Sequence, residues 1–220
     1  MRKSAITMCL FLSFLSVSWG IATIDGITGL IQIPTAESLK YKEINFSYDY
    51  QLAETQAKDM GIYKVNLGTY KNLELGIIGG RVPSGGVYVN IKYHLMSEES
   101  RYPLALAVGV EDLTSMKDTS VYMVASKKVQ NGLDVHGGFN AKFYKDSIQP
   151  NLMAGIEYYI DKNISLVIDG QGDNGVMILN TGVRYFMYPN IALKISYLDI
   201  AQSTEDTKQW VFGLDISKFL

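Results

Sequence analysis

The stretch Ile44-Asn45-Phe46-Ser47-Tyr48-Asp49-Tyr50-Gln51 alternates without a break. Ile44, Phe46, Tyr48 and Tyr50 share one face, and Asn45, Ser47, Asp49 and Gln51 share the other. Successive side chains of an extended strand point to opposite sides of the pleat, so a period of two marks a strand whose faces meet different surroundings. The pattern returns along the chain. Val87, Val89, Ile91, Tyr93 and Leu95 oppose Tyr88, Asn90, Lys92 and His94. Leu133, Val135, Phe139 and Phe143 oppose Asp134, His136, Asn140 and Lys142. Ile191, Leu193, Ile195 and Tyr197 oppose Ala192, Lys194 and Ser196, and Trp210, Phe212, Leu214 and Ile216 oppose Val211, Gly213, Asp215 and Ser217. Twelve strands are predicted, at 44–51, 61–70, 73–81, 87–95, 104–111, 120–128, 133–143, 151–160, 164–170, 176–187, 191–198 and 209–218.

A soluble sandwich also alternates, with its apolar face inside. The connections separate the two architectures. Lys71-Asn72, Asn131-Gly132, Asp161-Lys162-Asn163 and Tyr188-Pro189-Asn190 are tight, and Val82 to Gly86 is looser. The hairpins after strands two, six, eight and ten are the shortest. Those after strands one, five, seven and eleven are longer and polar, as at 53–60 and 201–208. Short turns on one rim and longer loops on the other are the asymmetry of an outer-membrane barrel. Met96–Pro103 is long for the short rim. The fold class expected is all-β, a closed antiparallel up-and-down transmembrane barrel of about twelve strands with periplasmic termini. Closure is what lipid demands, because a sheet edge would leave backbone groups without partners.

Pro34, Pro83, Pro103, Pro150 and Pro189 all fall outside or at the edge of the predicted strands, where a missing N–H is harmless. On the apolar face, Tyr50, Tyr63, Phe143, Tyr197 and Trp210 lie at one end of their strands and Tyr93, Tyr158 and Tyr185 at the other. Two aromatic belts around an aliphatic band match the two headgroup levels of a bilayer.

The N-terminus reads as a secretory leader. Arg2 and Lys3 precede an apolar run from Ala5 to Val17, and Ser18-Trp19-Gly20 offers small residues for cleavage near Gly20, with Ala22 as a rival site. Cys9, the one cysteine, lies inside it, so no disulfide framework or cysteine metal site is expected. Losing Arg2 and Lys3 takes the formal charge from −2 to −4, which disfavours nucleic acid as a partner. The chain divides into a signal peptide (1–20), an N-terminal periplasmic or strap segment (21–43) and the barrel (44–220). By pattern alone, 24–33 is either a wall strand or a strap that would plug the barrel.

Any chemistry belongs to the polar face. It carries Asp49, Lys64, Glu74, Lys92, His94, Glu111, Asp134, His136, Lys142, Glu157, Asp169, Arg184, Lys194 and Asp215. Charges facing lipid are costly, so these point into the lumen. Counting back from Pro189 puts Arg184 opposite Lys194. Two like charges opposed need an anion between them. Asp215 or Glu157 can supply it, forming an interior ion-pair network, or an anionic solute such as an acidic sugar can. The candidate charge cluster is Arg184, Lys194, Asp215, Glu157, Asp134 and His136. Catalysis is not expected: His94 and His136 are the only histidine bases, and no serine nucleophile is evident beside either. Gly79-Gly80, Gly85-Gly86 and Gly137-Gly138 lack the helix a phosphate loop needs. The run 169–175 imitates a calcium loop but lacks its twelfth-position glutamate, and is read as an outer hairpin loop. No cofactor or metal is expected.

Between leader and barrel, Gly29, Leu30, Ile31, Pro34, Thr35 and Ala36 form a G-L-I-x-x-P-T-A pattern. It resembles the opening of the YjbH/GfcD-like outer-membrane family, of which this chain would be a short, single-module member. The resemblance implies a non-enzymatic accessory of extracellular polysaccharide export or assembly, with polysaccharide and envelope export proteins as partners. The alternative from the barrel alone is a small porin or passive channel. A structural or adhesive barrel and an outer-membrane lipid-modifying enzyme rank lower. Outer-membrane lipid and the barrel-insertion machinery are expected partners under every reading.

Overall fold

A computed structural model describes residues 20–54, 58–80, 86–99, 101–115, 119–129, 132–144, 147–173, 176–188, 190–201, 203 and 208–220. The predicted leader to Trp19, with Cys9, lies outside these residues, as do 82–85, Asn131 and Pro189 of the predicted turns.

The strands are β1 (Glu43–Ala53), β2 (Met60–Tyr70), β3 (Leu73–Gly79), β4 (Tyr88–Met96), β5 (Ala105–Glu111), β6 (Ser120–Val129), β7 (Leu133–Tyr144), β8 (Ser147–Tyr159), β9 (Ile164–Asp173), β10 (Val176–Tyr188), β11 (Ile191–Leu198) and β12 (Gln209–Phe219). Each pairs antiparallel with the next, and β12 returns to β1, closing the barrel. The closing seam runs from Glu43 opposite Phe219 to Ala53 opposite Gln209, so the even strand number brings both ends of the wall to one rim. Each wall strand therefore has a neighbour on both sides and the sheet has no edge, the condition for spanning lipid.

The alternation sorts the two faces as predicted. Phe46, Tyr48, Ile77, Phe139, Leu152, Ile195 and Phe212 are exposed on the outside, while Asn45, Asp49, Lys64, Glu74, Lys92, Asp169 and Asp215 are buried inside. Tyr50, Tyr63, Phe143 and Trp210 are exposed near one rim, and Tyr93, Tyr158 and Tyr185 near the other. Carboxylates tie down part of the first belt: Glu54 accepts from the Tyr197 hydroxyl and the Trp210 indole, each at 2.8 Å.

Three expectations are corrected. β8 begins at Ser147 rather than 151, and β7 runs to Tyr144, so the long loop expected after strand seven is instead a tall hairpin. The alternation carries to its tip, with Phe143 and Ile148 both facing out. Pro150 consequently lies inside a strand, opposite Ala141. Its missing N–H is tolerated because β8 pairs with β9 only from Met153 onward, leaving that edge without a partner strand at Pro150. Lastly, 169–173 is no loop: β9 continues through Asp173, and Asp169 is a wall residue opposite Asn180.

Candidate functional site

The lumen is filled by the chain itself. Residues 24–33 are not a wall strand; they fold within the barrel. Ile24, Ile27, Leu30, Ile31, Ile33 and Ala36 are buried against wall residues that point inward, among them Ile62, Ile78, Val124, Met153, Val167 and Val211. Burying a side chain of this size is worth about 1.5–3 kcal/mol relative to leaving it in water. The segment folds on itself in two small turns. Thr23 N–H donates to the Ile27 carbonyl (2.7 Å), Gly29 N–H to that of Ile21 (2.9 Å) and Leu30 N–H to that of Ile33 (2.9 Å). Gly26 sits at φ 114°, a conformation other residues rarely adopt. Gly29 lies so close to the returning chain that a Cβ there would meet the Ile33 carbonyl oxygen at 2.4 Å.

So tight a fold leaves backbone groups that its own turns cannot satisfy, and buried backbone groups require partners. The charged wall supplies them. Three carboxylates take the N–H groups. Asp215 accepts from Ala22 at 3.0 Å. Glu74 accepts from Thr28 at 2.9 Å and from Leu39 at 3.1 Å. Asp169 accepts from Gln32 at 2.7 Å and Ile33 at 3.0 Å through one oxygen. Four cations take the carbonyls: Lys64 that of Thr23 (2.8 Å), Lys92 that of Thr28 (2.8 Å), Arg184 that of Gly29 (2.7 Å) and Lys194 that of Ala22 (2.8 Å). Ser126 accepts the Ala36 N–H at 2.8 Å, and Asn90 donates to the Asp25 carbonyl at 2.7 Å.

The same wall groups pair with one another. Lys64 bonds Asp49, and Lys194 lies 3.1 Å from Asp49 and 2.7 Å from Asp215. Lys92 lies 3.5 Å from Glu74. Arg184 grips both oxygens of Glu157, at 3.1 and 3.2 Å. Glu157 also accepts from Ser165 at 2.6 Å.

The six residues of the predicted cluster divide into two places. Arg184 and Lys194 are opposed as expected, but each turns to its own carboxylate. Arg184, Glu157, Asp134 and His136 meet around a small cavity of about 50 Å³. Lys194 and Asp215 belong to a second cluster with Asp49 and Lys64, which forms across the closing seam between β1 and β12. The space between Arg184 and Lys194 is spanned by plug backbone, from the Gly29 carbonyl to that of Ala22.

Both histidines have serine neighbours that the sequence did not disclose. His136 Nδ1 is 2.8 Å from Ser126 Oγ, and His94 Nε2 is 2.9 Å from Ser97 Oγ. No carboxylate completes either pair among the described residues: His136 Nε2 has no hydrogen-bond partner there, and His94 Nδ1 lies 2.6 Å from the Ala36 carbonyl oxygen.

On the short-turn side the plug leaves through a mouth of about 1040 Å³, lined by 37–41 together with His94, Glu98, Lys128, Asp134 and His136. There Glu37 lies 2.9 Å from Lys128. Burial raises the Glu37 carboxyl, but the charge and hydrogen bond of Lys128, together with the charges of His136 and Lys92, outweigh it and hold it below the ordinary glutamate value. Its contribution to plug docking is therefore present above that ordinary value and is lost as pH falls through the lowered one.

No protein-family model and no curated protein sequence matches the chain. Solved structures do. The KdgM porin superposes with a TM-score of 0.61 at 13% identity, over 80% of this chain and 99% of that one. The NanC porin gives 0.58 at 12% identity, over 80% and 99%. An outer-membrane channel from Pseudomonas putida F1 gives 0.53 at 12% identity, over 86% and 100%. The chain thus shares the fold of these small outer-membrane β-barrels. The resemblance to the YjbH/GfcD-like family is corrected by these findings: no family model supports it, and the structural neighbours are KdgM- and NanC-type porins. The six motif residues have a local explanation as parts of the plug, where Leu30, Ile31 and Ala36 are buried and Gly29 bridges to Pro34.

Proposed function

We propose that this chain is an outer-membrane channel for small solutes whose conducting path is closed at rest by its own residues 20–40. The observation that carries the reading is a closed, charged cylinder filled by a segment outside its wall, which joins the wall covalently only where the chain enters β1. The four buried cations of the lumen wall are aimed at the carbonyls of a segment that belongs to no wall strand, so its departure would leave the wall's own ladders intact. The porin neighbours favour the same reading, and they favour the passive-channel alternative over a polysaccharide-export accessory. Export through the predicted leader would deliver it, with the short-turn rim and the mouth facing the periplasm. No step in this reading needs a nucleophile or a cofactor.

Liposome swelling tests it. Vesicles carrying the full chain are expected to swell in an isotonic small sugar scarcely faster than empty ones. Vesicles carrying a chain without residues 21–40 are expected to swell several-fold faster. A truncated barrel that inserts and keeps its folded electrophoretic mobility, yet admits no solute, would end the proposal. Should the truncation fail to insert, the full-length Gly29→Val chain takes its place.

A further inference from the structure

The channel reading leaves its solute open, and the pairing of the wall charges bears on it. Each of the four deep cations already has a carboxylate: Lys64 and Lys194 at Asp49, Lys194 also at Asp215, Lys92 at Glu74, Arg184 at Glu157. Asp169 has no cation within ion-pair distance among the described residues, although it is 1% exposed. What satisfies it is neutral. One oxygen takes the Gln32 and Ile33 N–H groups, and the other takes the Asn180 amide at 2.8 Å. Arg184 acts on Asp169 only through its charge, and both oxygens of Glu157 hold it.

Around Asp169 the plug brings no cation. Between Ala22 and Ala36 its only ionisable side chain is Asp25. The plug meets the wall with backbone dipoles, donating to carboxylates and accepting from cations. When it leaves, the cations keep their carboxylates, while Asp169 loses two of its three donors and stands as an uncompensated charge midway along the lumen. With the Asn180 amide as its remaining donor among the described residues, that carboxylate favours a positive charge or N–H groups where the plug lay.

On these grounds, and resting on the channel reading above, we infer that the opened lumen selects small cations, ammonium-bearing solutes among them, over anions. Asp169, seconded by Asn180, is the specificity-determining residue and marks the site where a permeating cation pauses. The Gln32 and Ile33 N–H groups occupy the place of that cation in the closed state. An acidic sugar, one reading of the Arg184–Lys194 pair, is disfavoured because both cations are neutralised by wall carboxylates whether the plug is in or out.

Reversal potentials in a KCl gradient decide it, using the Gly29→Val chain to open the lumen without touching the wall. The expected result is a potential of the sign for potassium over chloride. Adding Asp169→Asn is expected to lower the potassium-to-chloride permeability ratio at least about twofold, since one fixed charge in a narrow low-dielectric path dominates the local field. Asp169→Glu is expected to preserve it, and folded electrophoretic mobility confirms that each barrel is intact. Chloride preference, or none, in the Gly29→Val channel overturns this inference and leaves the channel reading standing. A ratio unchanged by Asp169→Asn overturns the assignment of Asp169. A folded but silent Gly29→Val barrel removes the channel reading, and this inference with it.

Discussion

A Gly29→Val chain is expected to conduct in planar bilayers where the unaltered chain is closed almost all of the time. The added Cβ would lie 2.4 Å from the Ile33 carbonyl oxygen and 2.8 Å from Pro34 Cα. Both are backbone atoms of the plug, so no side-chain rotation can relieve the clash. Overpacking of this kind costs about 1–3 kcal/mol. The cost falls on the plug, because the three atoms nearest that Cβ belong to residues 23, 33 and 34. The wall keeps its ladders, and the opening equilibrium shifts by roughly 5- to 140-fold, since each 1.4 kcal/mol is a factor of ten. Single-channel recording reads the shift directly as open probability. A folded Gly29→Val barrel as quiet as the parent would mean that the plug is not what closes the lumen.

The second large effect is expected at Lys92. Its ammonium is wholly buried and holds the carbonyl and hydroxyl of Thr28, the carbonyl of Glu37 and the carboxylate of Glu74. Lys92→Met keeps the bulk and removes every one of these interactions, leaving Glu74 buried without its cation. Removing one partner of a buried pair costs about 3–5 kcal/mol. The measurement is denaturant unfolding in detergent, followed by the mobility difference between folded and unfolded forms. Lys92→Met/Glu74→Leu is expected to recover part of the loss, because no stranded charge remains. Lys128→Met removes a partly exposed pair with Glu37 and is expected to cost at most about 1 kcal/mol. Equal losses at Lys92 and Lys128 would show that burial does not set the value of these pairs.

The wall was legible because its two faces meet lipid and a polar interior, and a period of two records that difference residue by residue. Arg184 opposite Lys194 followed from one tight turn. Asp49 and Lys64 joining Lys194 did not, because that contact crosses the closing seam, and local alternation says nothing about which inward residues meet across it. Pro150 was misread because a strand with one partner tolerates what a paired one does not. The plug was hardest to see. It has no period, since it is neither strand nor helix but a chain folded back on itself. Its trace lay elsewhere, in Ile62, Val124, Met153, Val167 and Val211, apolar residues on faces that a wet pore would keep polar. Read beside the apolar run Ile24 to Ile33, they describe two surfaces awaiting each other. The motif taken for a family signature records the packing of that run.

The account stands on the placement of residues 20–40 inside the barrel. Ala36 N lies 2.8 Å from Ser126 Oγ, so the two residues are close enough to be joined by paired cysteines. In a chain carrying Cys9→Ser, Ala36→Cys and Ser126→Cys, the folded barrel in isolated outer membranes is expected to form this disulfide nearly completely. It should then resist a bulky maleimide until reduced and unfolded. Ready labelling of both thiols in the folded barrel would contradict it, because the segment would then lie outside the lumen and the wall would enclose an open pore.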